Sequence, residues 1–555
     1  MGALSLGNGS IAGALVASGG GGAITQAGAL SVGGVSSIDA GAGAITLSNA
    51  GNDFGGAVHL SGGAAVVRDA NALQLGTLDV VGLTATSGGA LSLGSGLVGG
   101  NLVATSQGGG IRQTGALLVA GASTIDAGAG AIVLDDAGND FAGPVGLSGD
   151  AIALRDRNDL TLSQLRSAPG GDVHVVAGGA LALPAQAIDA GSGSLHLAAH
   201  GGTLTTRGTL AGGDVSLHGA GGVVLAGDVL ADGRLHLESG GDLVQSGGRV
   251  AAALLTGSAA GEARLAGANR IAELGAFSAS RIHLANAGPL AVTGPVDARA
   301  GSLLLALSEG DLAIDGRVSA ADIRLEVAGG IAQGADGQLV AGTLSGRAGG
   351  AVNLGDGQRF IDNQIERIGD FTAHAGFSMT NGRSLTLSSL NGSDFTIDAG
   401  EAEFYVNVDG DLRQDGTDWL YNGRGTWVAS GGIGLQEAPI HVMGVESQVA
   451  TPGVPPAYFN AVRRDGSLLP IVGDAVNVPT AVWAGRAQTS SNRQVAYVDV
   501  GADASNYRGY GLVEPGVRLP EDQQPECDPD FPGPDCADTA MTTLHDAFWQ
   551  AAAHD

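Results

Sequence analysis

Residues 38–56 read IDAGAGAITLSNAGNDFGG and residues 125–143 read IDAGAGAIVLDDAGNDFAG, matching at fifteen of nineteen positions. The phrase holds almost no reactive chemistry, so its return 87 residues later points to architecture. The match also runs outward. Ile24 and Gln26 correspond to Ile111 and Gln113, Gly51-Asn52-Asp53-Phe54 to Gly138-Asn139-Asp140-Phe141, and Arg68, Asp69 and Asn71 to Arg155, Asp156 and Asn158. The duplication covers roughly residues 22–196, and a weaker copy of the opening words, IDAGSGSLHL, starts at Ile188. Internal repetition is read first because it fixes the architecture.

Inside each copy a finer rhythm appears. AITL, AVHL, AAVV, LQLG and LTAT alternate apolar with small or polar residues, and Gly-Gly, Asn-Ala-Gly or Ser-Gly-Gly separate them. Such short period-2 runs between turn signals read as strands. The strands are very short, the rhythm runs on without a helical interlude, and the apolar residues are small to medium. These features favour a coil over a sandwich or propeller: an all-β parallel β-helix in which each strand stacks on its counterpart one turn below, about 4.8 Å away. Gly supplies positive φ at the corners without steric penalty, and Asn52 and Asn139 are expected to share that corner geometry and to stack in ladders. At about 21–22 residues per turn, offsets of 87 and 63 predict four and three turns, and the coil to about residue 430 predicts a rod on the order of 90 Å long.

Composition supports a thin core. The 555 residues include 98 Gly and are 44% hydrophobic but only 4% aromatic, so apolar surface comes in small, regular doses. All 26 basic residues are Arg, against 55 Asp and Glu, and the net charge of −29 argues against a nucleic-acid partner. No run of 18 apolar residues occurs, so no transmembrane helix is expected. The opening MGALSLGNGSIAGALV lacks the basic and apolar regions of a signal peptide.

Three regions are expected: Gly-rich β-helix repeats over 1–355, aromatic-richer terminal turns and a cap over 356–510, and an acidic, Pro-rich tail over 511–555. The tail's DTAMTTLHDAFWQAAAHD patterns as a short amphipathic helix. All four Trp lie beyond residue 400, which fits larger side chains covering a last open turn. A sharper reading of DWLYNGRGTW makes Trp419, Tyr421 and Trp427 an aromatic patch that stacks on sugar rings.

The stretch GAITQAGALSVGG…IDAGAGAITLSNAGNDFGGAVHLSGG…RDANALQLGTL resembles the repeats of filamentous-haemagglutinin-like and high-molecular-weight adhesins of two-partner secretion. So does the twice-used pattern Asn-x-Ile-x-x-Leu/Ile-Gly-x-Phe in NRIAELGAF (269–277) and NQIERIGDF (363–371). The resemblance covers about residues 1–515. It implies a right-handed parallel β-helix on the surface of a Gram-negative bacterium, an adhesive, monomeric rod exported by an outer-membrane transporter and meeting a host receptor or glycan. The N-terminal secretion domain of that family is not found, so the chain reads as a C-terminal portion of a longer adhesin.

The only two cysteines, Cys527 and Cys536 in CDPDFPGPDC, read as a disulfide in such an exported chain. High-molecular-weight adhesins carry a similar pair whose loop is held at the transporter, which implies an anchoring role here; a local staple is the other reading. Their spacing does not match a zinc site.

β-Helices also include polysaccharide lyases and hydrolases, so a carbohydrate-active enzyme is the competing class. Asp135, Asp136 and Asp140, and Asp156 and Asp159 beside Arg155 and Arg157, are its candidates, read here as turn-forming Asp. His196 and His200 are four apart, but Leu197 follows His196, so HExxH is absent and a solvated strand and corner explain the pair. No catalytic residue, cofactor or metal ligand is assigned.

Overall fold

The computed structural model describes residues 2–299, 301–355, 363–388 and 397–415, then residues 432 and 434 and strand backbone as far as Asp499. The described residues are all-β, without a helix. Short parallel strands stack turn on turn as a β-solenoid, and this arrangement fits a right-handed parallel β-helix. The expected tail of 511–555, with Cys527, Cys536 and the amphipathic helix, lies outside the described residues, as does Trp419. The chain divides into two units, Met1–Ser280 and Arg281–Asp555.

In the first unit each early turn carries three strands, as in Ile24–Thr25, Leu30–Val32 and Ser36–Asp39. Alternation decides what fills the core. Ile45 and Leu47 are fully buried while Thr46 between them is exposed, and Ile132, Val133 and Leu134 repeat the pattern. Stacked in register, the inward residues form columns such as Leu47–Val67–Ala85–Ala104–Ile125. Their contribution is hydrophobic burial, roughly 1.5–3 kcal/mol for each fully buried aliphatic side chain.

Register corrects the expected turn count. From Ile38, four turns lead through Leu60, Leu78 and Gly96 to Leu117, with steps of 18 to 22 residues. Ile125, the copy of Ile38, lies eight residues further and stacks on Ala104 instead. The 87-residue unit is therefore four turns plus one side, and the second copy is turned by one side of the coil.

The corners of the duplicated phrase use one device. Asp39, Asp126 and Asp189 each accept a hydrogen bond at Oδ1 from the amide two residues on, at 2.9, 2.9 and 2.8 Å, and the receiving Gly41, Gly128 and Gly191 all have φ of 58°. These Asx turns need the left-handed region that Gly enters freely. In the second unit Asp297 bonds the amide of Arg299, which has φ of 52° and is the one non-Gly residue with positive φ among the described residues. An L residue there costs roughly 1–2 kcal/mol.

Asn52 and Asn139 are not corner residues of this kind. Neither has positive φ, and neither stacks on another Asn. Both are fully buried and clasp a Gln from the previous turn. Asn52 Oδ1 accepts from Gln26 Nε2 at 2.7 Å and from the Leu30 amide at 3.0 Å; its Nδ2 donates to Gln26 Oε1 and the Leu47 carbonyl, each at 3.0 Å. Asn139 repeats this with Gln113, the Leu117 amide and the Leu134 carbonyl. Asn269 does so with Gln245, Val250 and Leu265, and, in the second unit, Asn363 with Gln333, Leu339 and Leu354. Each clasp satisfies both lone pairs and both protons of a buried amide, which is the condition for a polar group to reside in an apolar core.

The pattern Asn-x-Ile-x-x-Leu/Ile-Gly-x-Phe is now readable. Its Asn is the clasp, and its Ile, Leu/Ile and Phe are buried. Its Gly-x marks a bulge: Leu255 pairs with Leu274 but Gly257 with Phe277, and Leu344 pairs with Ile368 but Gly346 with Phe371. Gly257 must be Gly, because a Cβ there would lie 2.0 Å from the Leu237 carbonyl oxygen at φ of 153°.

The second unit stacks Leu290–Leu312–Ile331–Val352–Phe377–Phe404, so aliphatic layers give way to aromatic ones, with the Phe371 and Phe377 rings 5.2 Å apart. Further on, antiparallel pairing enters: Glu446–Thr451 with Gln494–Asp499, and Ala457–Val462 with Leu468–Gly473.

Replacing Asn139 by Ala strips partners from the Gln113 amide and from the buried Leu117 N–H. The expected loss is about 2–4 kcal/mol of local stability, at roughly 1–3 kcal/mol for each orphaned group. Native-state hydrogen exchange should report it as faster exchange at the Leu117 amide, with amides of the second unit unchanged; equal protection in variant and parent would refute the clasp.

Candidate functional site

Of the aromatic patch, Tyr421 and Trp427 lie on the strand Tyr421–Ala429, whose backbone is described. Tyr421 pairs in register with Ile397, and Trp427 with Val406 and Val449.

The acidic candidates divide into three roles. Asp136 closes an Asx turn on the Gly138 amide at 2.8 Å. Asp156 is 1% exposed and holds the Phe141 and Asn158 amides at 2.6 and 2.7 Å, as Asp69 holds those of Phe54 and Asn71. Phe54 and Phe141 stand two residues after the clasp Asn52 and Asn139, so each Asp ties the next turn back to its clasp corner. In the second unit Asn381 plays this part for Ile365, accepting from its amide and donating to its carbonyl, both at 2.9 Å.

Asp140 and Asp159 do share a place. They line a shallow, open depression of about 550 Å³ with Ala142, Arg157, Asn158, Gly178 and Gly179. There Asp140 Oδ2 pairs with Arg157 at 2.5 Å, and Asp159 accepts from the Ala180 amide at 2.7 Å. Both carboxylates thus have structural partners. Burial pushes the carboxyls of Asp69 and Asp156 above the usual carboxylate range, against the lowering pull of their two backbone donors.

A different cluster stands out on the exterior. Strands Val173–Ala177, Leu195–Ala199, Val215–Gly219 and Val229–Ser239 stack in parallel on successive turns. One outward column runs His174, His196, Ser216, His236, Thr256, and the next runs Val176, Ala198, His218, Glu238, Ser258. His200 follows the end of its strand. The rings of His174 and His196 meet edge to face with centroids 4.7 Å apart, and those of His200 and His218 at 5.6 Å. His218 Nδ1 is 3.2 Å from Glu238 Oε2, and His236 Nδ1 is 3.0 Å from Thr256 Oγ1. Val176 and Ala198 occupy outward register positions yet are only 8% and 1% exposed, so they form an apolar floor beneath the rings. Burial pushes the His196 imidazole below the usual histidine range, and the neighbouring imidazoles of His174, His200, His218 and His236 push it further.

Of these histidines the sequence singles out only the pair His196 and His200. The cluster's signal was a spacing close to one turn: 174, 196, 218 and 236. Among the described residues no three of His, Cys, Asp and Glu stand converged as a ready metal site, and no helix is long and apolar enough to cross a membrane.

A family model described as repeats of unknown function (DUF5649) matches residues 1–61 and 81–148, so these stretches are similar to that family. The two matched stretches end 87 residues apart, each just after one copy of the duplicated phrase. No curated protein matches the chain, and no solved structure does.

Asp156 carries a pH signature. Its raised folded pKa means that the folded chain takes up a proton before the unfolded chain does on acidification. Its contribution to stability therefore grows as pH falls from neutral through the raised value, is complete below the ordinary carboxylate range, and is lost again as pH rises. Asp156→Asn should abolish that part of the slope and lower stability at neutral pH by about 1–2 kcal/mol, since one backbone donor loses its acceptor. Denaturant titrations of parent and variant between neutral and mildly acidic pH measure it; identical slopes would refute the assignment.

Proposed function

We propose that the chain is the rod of a surface-exposed or secreted adhesin of the two-partner secretion type, a structural display protein and not an enzyme. The observation that carries this reading is where the two copies of the repeat agree. Ile38, Ala40, Ile45, Leu47, Asn52, Phe54, Val58, Leu60 and Asp69 recur unchanged 87 residues on, and every one is buried in both copies. Outward positions drift: Thr46 becomes Val133, Ser48 becomes Asp135, and His59 becomes Gly146. The outward Asp53 and Arg68 also recur, as Asp140 and Arg155, and the buried Ala65 and Val67 become the larger apolar Ile152 and Leu154. The interior thus keeps its apolar character throughout while outward positions change chemical class, which suits a scaffold that varies its surface.

The carbohydrate-active alternative draws on the depression at Asp140 and Asp159. Its acid–base chemistry would need one free carboxylic acid and one free carboxylate facing the same sugar, and here the Arg157 pair and the Ala180 amide hold the two groups. Beads coated with the purified chain should attach saturably to host cells or glycan surfaces and release no product from a panel of polysaccharides. Turnover abolished by Asp140→Asn with Asp159→Asn would overturn the adhesin reading.

The proposed partner is the outer-membrane transporter, with a host receptor or glycan at the far contact. The resemblance supports Cys527 and Cys536 as a closed loop held at that transporter on a Gram-negative cell. With both changed to Ser, most of the protein should move from the cell-bound to the released fraction. Unchanged retention would leave the pair a local staple.

A further inference from the structure

The histidine face of the first unit has a geometry that neither the repeat nor the adhesin reading uses. Five imidazoles occupy four consecutive turns: His174, His196 with His200, His218, and His236. The outward grid around them is complete. On one flank the column Asp172, Ser194, Asp214, Arg234 runs beside them, tied by the Ser194 amide to Asp172 at 2.9 Å and the Arg234 amide to Asp214 at 2.7 Å. On the other flank stands Glu238, beside His218. Beneath lie Val176 and Ala198.

We propose that this face binds first-row divalent transition ions of the imidazole-preferring kind, such as Zn²⁺ or Cu²⁺, one held between His174 and His196 and a second between His200 and His218.

Spacing supports it. A ring nitrogen 2.0–2.1 Å from the ion places the ring centroid about 3.2 Å from it, so two ligands at a tetrahedral angle have centroids about 5 Å apart. The observed separations are 4.7 and 5.6 Å. What the pairs need is rotation of the rings about their side-chain torsions, which turns edge-to-face contacts into convergent nitrogens; the imidazoles of His174, His196 and His200 are exposed and free to make it. The parallel stack does the rest for His174 and His196, whose strands in register hold the two Cβ atoms near the inter-strand spacing of about 4.8 Å; His200 and His218 meet diagonally, His218 being in register with Ala198.

Electrostatics supports it as well. A ligating imidazole is neutral and offers one ring nitrogen to the ion. Asp172, Asp214 and Glu238 place negative charge around the incoming cation. The site stays open to water, and the chemistry is that of a surface clamp: an ion shared by His174 and His196 ties one turn to the next. Ligand binding to the folded state alone raises the unfolding temperature, and the rise grows logarithmically as the ion concentration exceeds its dissociation constant.

Calorimetric titration of the full chain with Zn²⁺, paired with thermal melting and with Cu²⁺ electron paramagnetic resonance, tests the proposal. Saturable binding, a higher melting temperature with ion, and hyperfine coupling to two imidazole nitrogens are expected. The quadruple variant His174→Asn, His196→Asn, His200→Asn, His218→Asn should bind at least about tenfold more weakly and lose the melting shift. His59→Asn, elsewhere in the same unit, should bind as the parent does. Circular dichroism of the ion-free variant establishes that the exterior substitutions leave the coil folded. Parent-like affinity in the quadruple variant, or no saturable binding by the parent, overturns the proposal.

Discussion

The buried Asn–Gln clasp is the constraint on which the rest of this coil depends. A solenoid of short strands has a core only a few side chains wide, so its corners bring backbone N–H and C=O groups close to apolar columns. A buried amide left unpaired costs about 1–3 kcal/mol. Asn52 meets that demand by bonding Gln26 and Leu30 of the turn before and Leu47 of its own. Asp69 then fastens Phe54 from the turn after. Three successive turns are thereby locked in register around one corner, and the hydrophobic columns, which by themselves tolerate slippage among Val, Leu, Ile and Ala, inherit that register.

This explains why the repeated phrase is long and chemically quiet. Its polar residues act inward, in the clasp, the Asp tie and the Asx corner, and each needs its partner at a fixed distance along the chain. A change in one member alone orphans the others, so the phrase was copied whole. The copy begins one side further round the coil, and the clasp tolerates this because all its partners lie within adjacent turns. The same logic accommodates Asn381, which substitutes an amide for the buried carboxylate and avoids the desolvation that raises the pKa of Asp69 and Asp156.

Much of the fold was legible in the sequence. Alternation in AITL and AIVL marked the inward residues, and Gly after Asp in IDAG marked the left-handed corners. The clasp was not legible, because Gln26 and Asn52 lie 26 residues apart and nothing local says that they meet. The turn count failed for a related reason: steps vary between 18 and 22 residues, and an average of 21–22 hides the extra side in 87. Asp156 reads in the sequence as a turn-forming Asp; in the structure it is buried, and besides the turn to the Asn158 amide it holds the Phe141 amide, fifteen residues away. Arg299 was invisible altogether, since Arg gives no sign of standing where Gly stands in three other corners.

The histidine face was missed by the same arithmetic, and it shows where function resides in this kind of fold. Side chains adjacent in sequence point to opposite sides of a strand, so local motifs carry little chemistry. Side chains one turn apart lie about 4.8 Å apart on the same side, so chemistry assembles in columns. A spacing of four, as between His196 and His200, suggests a helical pair only to an eye trained on helices; on this coil the informative neighbours of those two rings are His174 and His218, each a turn away. Because the clasps fix register and leave the exterior free to vary, a column can acquire a new composition one turn at a time without disturbing the core. The exterior of such a coil is therefore a set of independently tunable stripes on one invariant interior, and a stripe of imidazoles flanked by carboxylates is one such composition.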